Sequence, residues 1–433
     1  MNHRRIRFIS LGITILVTLF VTLKLNGESG TSTIILNDIE SLKAKEELKM
    51  PDQSKETSID RNDRNESSCQ RTLVCNVNKA CGFGCQIHHA VHCFHTAIAT
   101  KRTLVLETKD WSYKPEGGWD KIFLPITQCP KRQEENQYPF FSEDSDHDPH
   151  VFLPIVENNQ PKYEIPNMPE DLFDELKSIH GYPTVWWIGH LVSYILRPTL
   201  KTLEPMEDQK RLWAWQTPVV GVHIRRTDKI GLEAIYYSLD EYMEHKYFGK
   251  LESSQSVKVK AVFLATDEPQ VIQEAKSRYK EYIFYTNDHA ASLANHVYGS
   301  RYSDSSLHGV FSDVYHLSNT DFLVCTMSSQ ICRLAYELMQ TKHTDKSNSF
   351  VSLDDPYYFG GWLPKKVCAI EDHIAKSSEG LDARIGDIFE HLGENDGFVK
   401  GKNIRTGSVG LIPTNKVEVC MKGTPFPNIL NDK

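Results

Sequence analysis

The chain has 433 residues, 40% of them hydrophobic and 24% charged, the proportions of a globular protein with a real core and a length suited to roughly two to three domains. Its formal net charge of −8 weighs against a nucleic-acid partner held by bulk electrostatics, so any anion site must be local.

At the N-terminus, Arg4, Arg5 and Arg7 precede an apolar run over residues 8–23. That run is long enough for a thinner membrane. Positive charge ahead of it predicts a cytoplasmic tail at 1–7, a signal-anchor helix at 8–25 and a luminal body. A cleaved signal peptide is the alternative, and either sends the body into the secretory pathway. Residues 26–68 are polar, with a short helical stretch near 39–49, and read as a stem; Asn65 starts a glycosylation sequon there.

Six of the ten cysteines, Cys69, Cys75, Cys81, Cys85, Cys93 and Cys129, crowd one early stretch. In an oxidising lumen they read as a disulfide framework, and six cysteines allow about fifteen pairings. Cys325 and Cys332 form a second candidate pair.

Helix and strand alternate from residue 73 onward. Residues 86–100 have helical spacing, and 103–106 form a short apolar strand. The Pro-, Asn- and acid-rich region 129–170 reads as surface excursions, and 171–197 as one helix whose Trp186 and Trp187 belong to the core. Further apolar strands are expected at 218–224, 259–265, 281–285 and 322–326, with helices at 239–247, 269–279 and 330–340. This alternation predicts parallel sheets covered on both faces, in two doubly wound blocks, with ligands beyond the carboxyl ends of the strands. After Trp362 the texture becomes that of a small β-barrel.

Those strand ends carry the chemistry. His223-Ile224-Arg225-Arg226-Thr227-Asp228-Lys229 closes one strand, with Glu233 shortly after. Guanidinium forks suit phosphate oxygens, a departing diphosphate needs its growing charge neutralised, and a nearby carboxylate can take a hydroxyl proton. At the next strand end, Asp267 or Glu268 could hold a ribose or base edge while the other caps a helix. Ser328 and Ser329 open a helix whose free amides form an anion cradle, and Asp313 is a polar residue in an apolar helical stretch. Two other clusters carry less. Residues 144–148 alternate carboxylates but lack the glycine and distal glutamate of a calcium loop. His88, His89, His92 and His95 stand among cysteines that should pair with one another rather than bind zinc.

The segments HIRRTDKIGLEAIYYSLDEY (223–242), FLATDE (263–268), DFLVCTMSSQICR (321–333), LVCNVNKACGFGCQ (73–86) and SLDDPYYFGG (352–361) closely resemble the α1,6-fucosyltransferases that core-fucosylate N-glycans. The likeness runs from about Cys69 to the C-terminus. It implies an α/β fold with two Rossmann-like lobes (GT-B-like) at 69–215, on the acceptor side, and 216–361, binding the donor, an SH3-like barrel at 362–422 and a tail at 423–433. It implies a single-pass type II Golgi membrane enzyme with an N-glycoprotein acceptor, GDP-fucose as donor substrate, and neither cofactor nor metal.

By motif position, Arg225 and Arg226 would bind the donor pyrophosphate. His223, Asp267, Asp313 and Ser329 would line the nucleotide site, with Tyr113 against guanine. Glu233 would be the base, with Lys229 and Asp228 beside it. The family's disulfides map to Cys69–Cys129, Cys75–Cys93, Cys81–Cys85 and Cys325–Cys332, leaving Cys368 and Cys420 unassigned, both near the ends of the barrel, where they could pair. Vertebrate members dimerise with the help of a longer stem than this one, which bears on any homodimer here. The barrel lacks the aromatic pair and tryptophan that proline-rich ligands stack on, and Glu394-Asn395 replaces a His-Trp pair in the acceptor-facing loop. The same donor site could serve another linkage, and a silent Golgi lectin or scaffold is the competing class; the set Arg225, Arg226, Asp228, Lys229 and Glu233 argues against the latter.

Overall fold

The computed structural model describes residues 69–113, 118–130, 137–142, 145–155, 168–228, 230–231, 234–244, 260–295, 302–342, 345–360, 366–395, 397–420 and 423–424. The expected membrane anchor, stem helix and Asn65 lie outside them. Among the described residues no helix is long and apolar enough to cross a membrane.

The first sheet contains β1 (Thr72–Asn76), β2 (Thr103–Glu107) and β3 (His150–Leu153), all parallel in the order β2-β1-β3. Parallel neighbours need a crossover. The helix α1 (Phe83–Ala99) supplies the one between β1 and β2. The strand β3 falls inside the stretch expected to be surface excursions. Its Val151, Phe152 and Leu153 are buried, and this three-residue apolar run was hidden by the polar residues around it. The helix α2 (Trp119–Ile122) and the two-residue strand β4 (Met168–Pro169) complete this part.

The single helix expected over 171–197 is two, α3 (Glu170–Lys177) and α4 (Pro183–Ile195). Pro183 sits in the first turn of α4, where its missing N–H costs nothing; inside a continuous helix it would clash with the preceding turn. The turn between them is tied down, with the Gly181 amide donating to Asp345 at 2.9 Å. The amphipathic pattern of α5 (Leu200–Leu212) is weak, with only Thr202 and Met206 buried, and the helix was not anticipated.

The second sheet has β5 (Val219–Ile224), β6 (Ala261–Thr266), β7 (Ile283–Thr286), β8 (Phe322–Cys325) and β9 (Phe350–Ser352), parallel throughout in the order β7-β6-β5-β8-β9. Its helices are α6 (Leu239–Met243), α7 (Pro269–Arg278), α8 (Asp288–Asn295), α9 (Asp304–Ser318) and α10 (Gln330–Met339). Strand order reverses between β5 and β8, and a crevice opens at the carboxyl ends of such a pair. The helices α9 and α10 are buried on two sides. Leu307, Phe311, Val314, Leu334 and Leu338 join the apolar cluster of α1 and α4, while Leu317, Ala335, Tyr336 and Met339 pack with the inner residues of the second sheet.

The C-terminal part is antiparallel, with β10 (Lys366–Ala369), β11 (Ile388–Asn395), β12 (Phe398–Asn403), β13 (Val409–Pro413) and β14 (Val417–Val419) in the order β13-β12-β11-β10-β14. Val367, Phe389, Val399, Ile412 and Val417 form its core. The segment expected to be a tail does not hang free at its start: β15 (Gly423–Thr424) pairs in parallel with β4, because backbone groups there satisfy one another.

All ten cysteines are paired, as Cys69–Cys129, Cys75–Cys93, Cys81–Cys85, Cys325–Cys332 and Cys368–Cys420.

Candidate active site

Register builds the first half of the site. Ile224 lies opposite Thr266, so the residues leaving β5 and β6 emerge side by side. Asp267 is the hub of that junction. Its Oδ1 accepts the Arg226 amide at 2.9 Å and its Oδ2 the Thr227 amide at 3.0 Å. The Thr227 hydroxyl and the Arg225 guanidinium also donate to Oδ2. The Asp267 side chain is 3% exposed and that of Arg225 11%. A buried ion pair of this kind pays a desolvation cost that is offset only when further donors satisfy the carboxylate, and the two backbone amides do that here.

The two arginines differ. Arg226 is committed inside the protein: it donates to the Tyr237 carbonyl at 2.7 Å and to Glu268 at 3.2 Å, and its guanidinium lies 4.5 Å from the Tyr236 ring centroid. Arg225 donates to Thr227 at 2.9 Å and also pairs with Asp228, whose side chain is 39% exposed. An incoming anion can therefore compete for Arg225 by displacing a solvated carboxylate. For Arg226 it would have to break a buried set. Glu268 caps α7 by position but makes no side-chain cap bond, since Arg226 holds it.

The second half lies on β8, α9 and α10. Val222 is opposite Val324, which brings residues 327–330 level with the arginine loop on the other side of β5. Ser329 is the N-cap residue of α10, 2% exposed, with no side-chain bond to the helix. The Met327 amide donates to Ser352 at 3.0 Å and the Ser328 amide faces Asp354 at 3.4 Å. Burial raises the Asp354 carboxyl above its ordinary value, against hydrogen bonds from Ser328 and Ser352 that lower it.

His223 shares a face of β5 with Val219 by the two-residue period. On that face His316 of α9 lies 5.1 Å from Phe263, which pairs with Gly221. Asp313 is one helical turn earlier, toward the carboxyl ends of the strands, and so comes level with His223. The residue is only partly covered, yet its Oδ1 is enclosed and has no partner among the described residues. Burial holds its carboxyl well above the usual range. A ligand bringing N–H donors would relieve that.

Other candidates are placed differently. Tyr113 is built into the first sheet's aromatic core, accepting the Phe83 amide at 3.0 Å and meeting Tyr302 edge-on at 5.3 Å. Lys229 and Glu233 lie outside the described residues, as do the side chains of Glu394 and Asn395. Cys75, Cys93 and His89 come within metal-ligating reach of one another, but both cysteines are in a disulfide, which leaves His89 as the lone donor and fits no metal. His89, His92 and His95 are buried in α1, and burial lowers them to about 3, 4 and 3. Trp187 donates to His95 at 3.3 Å, while the half-buried Trp186 ring lies tilted against His190, centroids 4.0 Å apart.

Sequence inspection gave no role to two residues that lie within its motifs: Thr227, which completes the Asp267 hub, and Gln330, which reaches across to α1. Both depend on register and crossing that the local pattern does not carry.

The chain matches the family model of alpha-(1,6)-fucosyltransferase N- and catalytic domains over residues 32–358. It is 42% identical over 372 residues to an alpha-(1,6)-fucosyltransferase of Drosophila melanogaster, covering 84% of this chain and 59% of that protein. It is 38% identical over 367 residues to one of Caenorhabditis elegans, covering 82% of this chain and 65% of that protein. The chain thus spans less than two thirds of either relative's length. Among solved structures it is similar to the C-terminal SH3 domain of myosin IB from Entamoeba histolytica, with 30% identity, a TM-score of 0.13, and coverage of 14% of this chain and 97% of that one.

Proposed function

We propose that the chain, which belongs to the alpha-(1,6)-fucosyltransferase family, moves L-fucose from GDP-β-L-fucose to the 6-hydroxyl of the asparagine-linked GlcNAc of N-glycans, with inversion. The observation that carries this is the Arg225–Asp267–Thr227 junction at the carboxyl ends of β5 and β6, beside the strand-order reversal, where a buried carboxylate braces a guanidinium. We read the two parallel sheets as Rossmann-like lobes and the antiparallel sheet as an SH3-like barrel, with the protein held in the Golgi membrane by residues 8–25.

In this reading Arg225 exchanges Asp228 for the donor diphosphate and stabilises its growing charge as GDP leaves. Arg226 anchors the loop against Glu268 and the Tyr237 carbonyl. The amides at the start of α10, with Ser329, face the same charge. The Asp313 carboxylate accepts the paired N–H donors of the guanine edge, which gives its enclosed oxygen the partner it lacks, and His223 stands beside it. Tyr113 is assigned to the base by resemblance. Glu233 takes the proton of the acceptor hydroxyl, with Lys229 close by, and the reaction needs no metal because side-chain cations neutralise the leaving group.

The test is a linkage-resolved assay of the full chain on an agalacto biantennary N-glycan with EDTA present. Core α1,6-linked fucose is expected. A product of another linkage would keep the donor site and reject the acceptor; no GDP release with any glycan would favour a lectin or scaffold.

A further inference from the structure

His88 occupies the crossing of α1 with α10. Its Nε2 faces both oxygens of Glu337 at 3.1 Å, and its Nδ1 faces Gln330 Oε1 at 2.8 Å. The Tyr357 hydroxyl donates to the same Glu337 carboxylate at 2.7 Å. His88 is 2% exposed and Glu337 0%, and the Phe359 ring meets the imidazole edge-on at 5.1 Å. A carbonyl oxygen can only accept, so the contact with Gln330 Oε1 is made by a proton on Nδ1.

The approach is enforced by packing. A Cβ on Gly84, one turn before His88, would come 2.8 Å from Gln330 Cβ, and one on Gly189 would come 2.1 Å from the Glu337 carbonyl. The helices α1, α4 and α10 therefore meet at backbone distance, leaving the His88 ring little room to turn.

Gln330 is the first residue of α10, immediately after Ser329. With Oε1 held by His88, its NH2 group has no protein partner among the described residues, and the side chain is only partly covered. We propose that His88 is a positioning residue: held at Nε2 by Glu337 and donating its Nδ1 proton to Oε1, it fixes the Gln330 carboxamide with its two N–H donors toward the crevice, where they bind an acceptor oxygen of the substrate. A neutral His88 with Nδ1 unprotonated would instead draw the NH2 group to itself and turn the carbonyl oxygen outward. The inference rests on the proposed transferase site for the identity of that oxygen, which belongs either to the donor diphosphate or to an acceptor sugar hydroxyl.

Two measurements on the full chain test it. In a sample labelled with 15N-histidine, the His88 ring, assigned by its perturbation in Gln330→Ala, is expected to carry a proton on Nδ1. A ring unprotonated at Nδ1 overturns the proposal, whether or not the protein is active. Separately, Gln330→Ala is expected to weaken one substrate about five- to tenfold, the scale of one lost hydrogen bond, with little change in Tm. Weaker GDP binding by calorimetry assigns the oxygen to the diphosphate; a higher KM for the glycan with GDP binding intact assigns it to the acceptor. His88→Phe, which keeps ring volume, is expected to show the same loss and to add none in the Gln330→Ala background. Additive losses would assign His88 a merely structural role. Should His88→Phe fail to fold, the wild-type spectrum still decides. Absence of any fucose transfer by the wild-type chain would remove the reading of the site and leave the His88 spectrum to be judged alone.

Discussion

The loop after β5 and the helix α1 both gather ionisable side chains, and the fold uses them in opposite ways. Arg225, Arg226, Asp228 and Asp267 meet where a parallel sheet ends, with opposite charges in contact and one edge open to solvent. His88, His89, His92 and His95 lie along a helix buried nearly all round, and three of them are kept neutral by desolvation. The difference is one of surroundings. Strand ends leave backbone amides and space, so charges there can be paired and still be reached; a buried helix leaves neither, so its polar groups bond inward or lose their charge. Within α1, His88 is set apart by facing a carboxylate from another helix.

The contrast breaks hardest at Arg225. Arg225→Ala is expected to lower turnover about 10²- to 10³-fold, the scale of one lost charge-stabilising donor, in a protein that still folds but melts lower, because buried Asp267 loses its cation and keeps only hydrogen-bond donors; retained turnover would remove that residue from the site. Asp267→Asn should reach both function and stability. It removes the buried carboxylate with which the mostly buried Arg225 pairs, and a fall of about 3–5 kcal/mol in unfolding free energy is the order expected for breaking such a pair, read from urea denaturation.

The histidine side of the comparison is a pH experiment. The unfolded chain takes up these protons near pH 6.5, whereas folded His89, His92 and His95 do so only at about 3, 4 and 3. Stability present above about pH 6.5 is therefore lost as pH falls, by up to about 1.4 kcal/mol per pH unit for each histidine. Buried His316, lowered to about 4, and His180, also lowered, act in the same direction. Urea midpoints at pH 7 and pH 5 should show the drop, and His92→Gln should make it shallower; an unaltered slope would place the titration elsewhere. The smallest effect is at Gly189. Its Cβ would strike the backbone of α10, and Gly189→Ala is expected to cost about 1–3 kcal/mol of overpacking, seen as a lowered Tm.

Much of the second sheet was legible from local pattern. Continuous apolar runs such as Val219–Ile224 and Ala261–Thr266 can only be strands buried on both faces, and polar residues follow each of them. The first sheet was harder: β3 is four residues long in a polar region, and α3 and α4 merge into one apolar pattern unless Pro183 is given its full weight. The arginines were visible as a pair, but not their division of labour, because the partners of Arg226 come from Tyr237 and Glu268, 11 and 42 residues away.

The sequence by itself determined which segments are apolar enough to become strands, where charges gather at their ends, and which family the chain resembles. Those are properties of short runs, set by side-chain chemistry and the periods of helix and strand. Tertiary structure alone decided that Asp267 braces the loop from the neighbouring strand, that Asp313 comes level with His223, and that His88 reaches Gln330 and Glu337 some 242 and 249 residues on. Contacts of that kind arise from register and from how closely helices can approach, and residues far apart in the chain acquire them only when the sheets and helices are packed together.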